Sequence, residues 1–293
     1  MKQKELIALI HLLEDNDRQV FLHVNERLKS MGSAIINTLE EVSVESNELM
    51  LVERIQELIK TIKQEDLLQD FQLWSQTLDP DILRGNFLIS KFCNLECKFD
   101  QIYEDIIILK KQIWLELHQY LTPFEQISIL NQVIFYHQNF ESAGPNEQKV
   151  SLYSLEKVLK QKKGNSLTLG VLYIIIAELL QIPIYGVFLP KHFILAYCKD
   201  FNTNKILHQD DVLFYINPLN KGAVFTRNEI KDYIKEMGLE DEPKYYLPLS
   251  SYEVVEGQLQ HLKQVFDLNK KEDAVENLKS ILDTINRDHN SLS

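Results

Sequence analysis

Cysteine is scarce: the chain of 293 residues holds three, Cys93, Cys97 and Cys198. An odd, sparse set makes no disulfide framework. Two thiols at 93 and 97, with no histidine beside them, make no tetrahedral zinc site. Their spacing puts them on one face of an expected helix, as small buried residues. His11, His23, His118, His137 and His261 are scattered without ligand spacing. His208, Asp210 and Asp211 lie in a polar stretch with no second anchoring element. No metal and no cofactor is expected. Positive charge is short too, with 31 basic against 43 acidic side chains and a net charge of −12. Such a surface repels phosphate backbones, and no dense basic run offsets it, which argues against a nucleic-acid partner. Long apolar runs are missing. The longest, Ser166 to Leu180, covers 15 residues, whereas a bilayer span needs about 20. No membrane association is expected. Met1-Lys2-Gln3-Lys4-Glu5 leads into an amphipathic pattern rather than a secretory leader, so the expected location is cytoplasmic.

What is present is mostly helical periodicity. Leu6, Leu9, Ile10 and Leu13 recur at helical spacing. Asp15-Asn16-Asp17 breaks the pattern and offers an N-cap. Val20, Phe21, Val24 and Leu28 resume it until Gly32. A third helix is expected from Ser33 to Val42 and a fourth from Glu48 to Ile62. The stretch from Leu6 to Gly32 resembles a HEAT-type helical repeat, through its Asp-Asn-Asp turn, Val20 and the Leu28 to Gly32 ending. Trp74, Leu78 and Ile82 share a stripe, with Asp79-Pro80 opening a helix. Phe99 to Leu117 reads as a long amphipathic helix. Thr122-Pro123-Phe124-Glu125 is a capping box with proline at the first helical position, and that helix is expected to run to Asn139. Thr226-Arg227-Asn228-Glu229 and Ser250-Ser251-Tyr252-Glu253 open later helices. The last helix is expected over Ala274 to Ile285, with a frayed polar tail from Asn286.

The centre of the chain is different. Ser154 to Gln161 makes a short helix that Gly164 closes. From Ser166 to Leu180 nearly every residue is apolar, and a helix apolar all round is a buried one. Gln181-Ile182-Pro183 ends it. Ile184 to Leu189 and His192 to Cys198 read as a hairpin of two strands joined at Pro190-Lys191. After the polar excursion Lys199 to Asp211, Val212 to Ile216 and Val224-Phe225 read as further strands. The expected fold class is α+β, mostly helical, with a small antiparallel sheet packed on the buried helix.

Three residues stand where a nucleophilic site would be built. Ser166 is at the N-terminal tip of the buried helix, His192 begins the second strand, and Asn217 ends a third. A thiol at such a tip, an imidazole on a neighbouring strand and an orienting group beyond it make a thiolate nucleophile. Pro183 follows Ser166 by 17 residues. With Ile182-Pro183, Lys191-His192-Phe193 and Asn217-Pro218, that spacing resembles transglutaminase-like domains, whose core is papain-like. More narrowly, the run from Gly164 through Leu172-Tyr173, Ile182-Pro183 and Gly186-Val187 to His192-Phe193 is similar to SirB-type transglutaminase-like proteins. The resemblance implies a catalytic cysteine at position 166, a histidine at 192 and an acid at 217. Only His192 matches. SirB-type members generally lack the cysteine, so transglutaminase or cysteine-protease activity is not carried over.

The resemblance also implies a helical segment before the core and a TPR-like helical pair after it. Together with the separate HEAT-type likeness at the start of the chain, it gives three expected regions: 1–65, HEAT-like; 66–246, transglutaminase-like; 247–293, TPR-like. A serine hydroxyl needs a strong base, and replacing the orienting aspartate of a serine protease by asparagine costs about 10⁴ in rate. Here the weaker nucleophile meets the weaker orienter. The expectation is therefore a pseudoenzyme that holds a protein or peptide. The alternative is a hydrolase or acyltransferase using the degenerate triad Ser166, His192 and Asn217. Read structurally, Ser166 is the N-cap of the buried helix, accepting from the amide of Leu169, and Asn217 is a strand-end turn residue.

Overall fold

The computed structural model describes residues 3–144, 149–201 and 208–292. Met1-Lys2, Pro145-Asn146 and residues 202–207 of the expected polar excursion lie outside the described residues. The chain divides into two compact units, Met1–Asp70 and Phe71–Ser293.

The first unit contains α1 (Gln3–His11), α2 (Arg18–Lys29), α3 (Ile36–Glu45) and most of α4 (Leu49–Ser75). Asp17 caps α2 by accepting from the amide of Gln19 at 2.7 Å. The apolar stripes of the four helices meet in one core that includes Ile10, Leu13, Val24, Leu28, Leu39, Val42, Leu51, Ile55 and Ile62. The guanidinium of Arg54 donates to the carbonyls of Leu13 and Asp15, holding the turn after α1. The fourth helix does not stop at Ile62 but continues to Ser75. No glycine or proline interrupts that stretch, so nothing ends the ladder.

The second unit opens with α5 (Ile82–Cys93), whose N-cap is Asp81, and α6 (Phe99–Trp114). The capping box at Thr122 starts α7 (Pro123–Asn131), which widens into a π segment over Gln132–His137. The five-residue step is visible in the bond from the amide of Gln138 to the carbonyl of Val133, 2.9 Å. Two short strands, β1 (Glu141–Ser142) and β2 (Lys163–Gly164), pair in parallel around α8 (Leu155–Gln161). Then come α9 (Ser166–Leu179) and an antiparallel sheet in chain order: β3 (Ile184–Leu189), β4 (His192–Cys198), β5 (Val212–Asn217) and β6 (Ala223–Phe225). The remainder is α10 (Arg227–Glu236), α11 (Ser251–Leu268) and α12 (Glu272–Leu292). Capping boxes open α10 at Thr226 and α11 at Ser250. The last helix continues past Ile285; the hydroxyl of Tyr252 donates to the side chain of Asn286 at 2.6 Å and holds that turn against α11.

The fold class is α+β and mostly helical, with the sheet packed on a buried helix. In α9 every side chain from Leu167 to Ala177 is buried. Burying a Leu, Ile or Val is worth about 1.5–3 kcal/mol relative to exposure, so this helix anchors the unit. Its packing on the sheet depends on glycine. A Cβ on Gly170 would lie 2.7 Å from the ring of Phe193, and one on Gly186 would lie 2.4 Å from it. Phe193 and Leu195 therefore point to α9. Val187, Ile194, Ala196 and Tyr215 point the other way, into a second cluster with Ile230 and Ile234 of α10 and with Tyr245 and Tyr246. Because both faces are covered, β4 reads as a continuous apolar run rather than an alternation. The C-terminal pair is integral to the same unit: the buried Gln258 of α11 donates to Asn86 of α5 at 2.9 Å. Trp74 stacks on Tyr252 at 6.0 Å.

Candidate functional site

The helix carrying Ser166 begins where two backbone constraints force it to. Lys162 closes α8 in the left-handed conformation, φ 60°, donating its amide to Val158. Gly164 then passes so close to Leu169 that a Cβ would lie 2.9 Å from its side chain. The N-cap that follows is Asn165, not Ser166: its side chain accepts from the amide of Thr168 at 2.8 Å. The one-residue correction arises because the chain stays extended through β2 and Asn165, and Asn165 is as good a cap as serine. Ser166 is the first residue inside the helix and is half-buried. Among the described residues its hydroxyl has no hydrogen-bond partner.

The sheet then returns along α9. The amide of Ile182 bonds to Ala177, tying the start of β3 to the C-terminal end of the helix. The far end of β3, the start of β4 and the end of β5 therefore lie toward the helix N-terminus. Ser166, His192 and Asn217 all fall at that end. They do not share a face. His192 pairs with Leu189 and lies two residues before Ile194, on the side away from α9. Its ring stands 5.7 Å from that of Tyr233 on α10, tilted 58°. The hydroxyl of Tyr233 donates to the carbonyl of Pro190 at 2.8 Å, bracing the hairpin turn against α10. Asn217 lies two residues beyond Tyr215 on that same side. Its side-chain oxygen accepts from the amides of Leu219 at 3.0 Å and Asn220 at 3.3 Å. Among the described residues no hydrogen bond joins any two of Ser166, His192 and Asn217.

Two residues that matter to this end of the sheet have no role assigned from the sequence: Tyr173, which enters only as part of the resemblance, and Asn131, which lies outside its motifs. Tyr173, fully buried in α9, donates to Asn131 at 3.0 Å, and Asn131 in turn donates to the carbonyl of Gly222 at 3.0 Å. That relay fixes the turn after Asn217 against α7 and α9. Gly222 has φ 73°, and a Cβ there would fall 1.8 Å from the Asn131 side-chain oxygen.

The thiols are elsewhere. Cys93 is the last residue of α5, and Cys97 lies beyond Asn94 in the turn, so the two are not one helix turn apart on one helix. Burial, then the neighbouring Cys97, pushes the Cys93 thiol up to about 12. Burial, then the Glu156 carboxylate, pushes Cys97 up to about 11. Neither is a nucleophile at neutral pH. Among the described residues no three His, Cys, Asp or Glu side chains gather to hold a metal. The backbone amide of His208 donates to Asp211 at 3.0 Å, a local cap. Among the described residues no helix is long and apolar enough to cross a membrane.

A buried helix, a hairpin beginning at the helix's C-terminal end, and a histidine and a polar residue returned to its N-terminal end define a class. The chain belongs to the transglutaminase-like superfamily, whose family model matches residues 100–260. Within it, the chain is similar to Protein SirB1 of Salmonella typhimurium (strain LT2) and Protein SirB1 of Salmonella typhi, 26% identical to each over 152 residues. The match covers 52% of this chain and 52% of each relative, so the chain spans about half the length of the curated relatives it matches. No solved structure matches.

Proposed function

We propose that this is a non-catalytic transglutaminase-like protein, a pseudoenzyme that binds a protein or peptide partner in the cytoplasm. The end of the sheet around His192 and the helical flanks, HEAT-like over 1–65 and TPR-like over 247–293, provide its surfaces. The observation that carries the reading is the use made of the triad positions. The Asn217 oxygen is spent on two backbone amides, and the His192 ring stands 5.7 Å from that of Tyr233 on α10. A serine nucleophile needs a base within hydrogen-bond reach and a third group holding that base. The net charge of −12 favours a partner other than nucleic acid.

Two measurements test this. A fluorophosphonate probe should label neither the native chain nor Ser166→Ala. Labelling that disappears in Ser166→Ala would establish the hydrolase or acyltransferase reading instead. A photo-crosslinking residue in place of His192, expressed in the native cell, should capture a defined protein or peptide. Recovery of uncrosslinked chain alone would sink the binding reading.

A further inference from the structure

The opposite end of α9 has an electrostatic imbalance. The C-terminal end of a helix carries partial negative charge, which a basic residue in the last turn normally offsets. The last turn of α9 has no basic residue and instead holds Glu178, the one charged side chain in the helix. Asp79 and Asp81 add like charge nearby. Among the described residues Glu178 has no hydrogen-bond or ion-pair partner. It lines a cleft of about 520 Å³ with Trp114, Leu117, His118, Lys110 and Leu180, a volume within the range of ligand pockets. Trp114 is 63% exposed, and Gln119, Gln126 and Gln181 complete the polar part of the lining. An exposed indole and an apolar wall of Leu117, Leu179 and Leu180 beside an unpaired carboxylate are complementary to a cation on an apolar stem.

We propose that this cleft is a docking site for an arginine side chain flanked by apolar residues on a peptide partner. The guanidinium pairs with Glu178 and stacks on Trp114, and the flanking residues cover the exposed rim. Arginine fits better than lysine because its planar fork takes a carboxylate two bonds at a time and stacks on an indole. The inference deepens the reading of the chain as a peptide-binding protein, at a site on the other end of α9 from His192. Lys110 lines the same cleft, so the guanidinium enters beside a basic side chain and its pairing with Glu178 must offset that contact.

The pH dependence follows from the groups facing the cleft. Burial, then Asp81 and Asp79, pushes the Glu178 carboxyl up to about 7. The site therefore gains its charge as pH rises through that value, and affinity should rise between about pH 6 and pH 8. His118 lines the same wall, so the two residues are separated by mutation.

The chain has two tryptophans, and Trp74 is buried against Tyr252. In fluorotryptophan-labelled full-length protein the two fluorine NMR signals therefore report a rim residue and a core residue separately. The test is a titration with the capped peptide acetyl-Leu-Arg-Leu-amide, up to millimolar concentration. The Trp114 signal, identified through Trp114→Phe, should move while the Trp74 signal stays. Replacing arginine by citrulline, or Glu178→Gln in the protein, should each weaken binding by about tenfold. Glu178→Gln should also flatten the pH dependence, and His118→Gln should preserve it. An unmoved Trp114 signal overturns the proposal, as does equal binding of the citrulline peptide or equal binding by Glu178→Gln. An unshifted Trp74 signal certifies that the variant is folded. Failure here leaves the fluorophosphonate and His192 crosslinking results unaffected, so the two readings fail separately.

Discussion

Replacing Ser166 by cysteine restores the thiol that the fold is built to present, and the structure says how reactive it should be. The new thiol would sit in the first turn of α9, half-buried, among unpaired amides that favour a thiolate. Its pKa should lie at or below about 8.5, the ordinary thiol value. Cys97 and Cys93 are pushed to about 11 and about 12. At pH 8 the introduced thiol would be about one quarter ionised, Cys97 about one part in a thousand and Cys93 about one in ten thousand. A more basic thiolate is the stronger nucleophile, with a Brønsted slope of roughly 0.4–0.5, which returns part of the difference. The net expectation is alkylation on the order of 20-fold faster than Cys97 and 60-fold faster than Cys93. Cys198 is fully buried and should be slowest to admit reagent. Iodoacetamide labelling between about pH 6 and pH 9, followed peptide by peptide in a mass spectrometer, measures each rate. The second arm is Ser166→Cys with His192→Ala. Because His192 faces α10, its removal should change the rate by no more than about twofold. A drop of about tenfold would mean that the imidazole reaches the helix tip, and the case for a non-catalytic site would fail. A rate no faster than that of Cys93 would mean that α9 does not present its N-terminus as described.

Three further outcomes follow from the packing. Gly222→Ala should lose about 2–4 kcal/mol in urea unfolding, from the left-handed backbone and the collision with Asn131; Gly144→Ala, which meets nothing within 4 Å, should lose about 1 kcal/mol. Asn86→Leu should cost about 1–3 kcal/mol by stranding the buried amide of Gln258, and adding Gln258→Leu should recover part of it; an additive double variant would contradict the pairing. Glu178→Gln should raise stability at pH 8 by on the order of 1 kcal/mol. The sign is fixed by the folded carboxyl lying near 7 against an ordinary value of 4.5: protonation favours the folded chain, and that contribution is lost as pH rises through about 7. A thermal melt of both proteins at pH 5 and pH 8 should show the gap opening only at the higher pH, and a constant gap would refute it.

How much of this was legible in the residues depends on what each signal encodes. Apolar runs and capping boxes are local, so both central strands and the starts at Thr122, Thr226 and Ser250 could be read directly. The continuation of α4 through Ser75 and the π segment after Asn131 were not marked, because no residue type signals that a helix goes on or widens. Asn165 and Ser166 are equally good caps, and only the extended backbone that β2 carries as far as Asn165 chooses between them. The triad positions were legible as addresses at one end of a sheet, but their facing is a matter of parity. Phe193 must point to α9, because Gly170 and Gly186 make room for its ring. His192, its neighbour, must then point away. That inference needs the pairing of helix and strand, which spacing in the chain does not supply. Glu178 is the converse case. A single charged residue in an otherwise apolar helix is visible in the sequence, yet it means little until its neighbours are known. A partner on α6 or α7 would have made it an ordinary buried ion pair. With Trp114, Leu117 and Lys110 lining the same cleft, two further carboxylates nearby and no basic side chain paired with it among the described residues, the same glutamate becomes a charge that we propose a ligand completes.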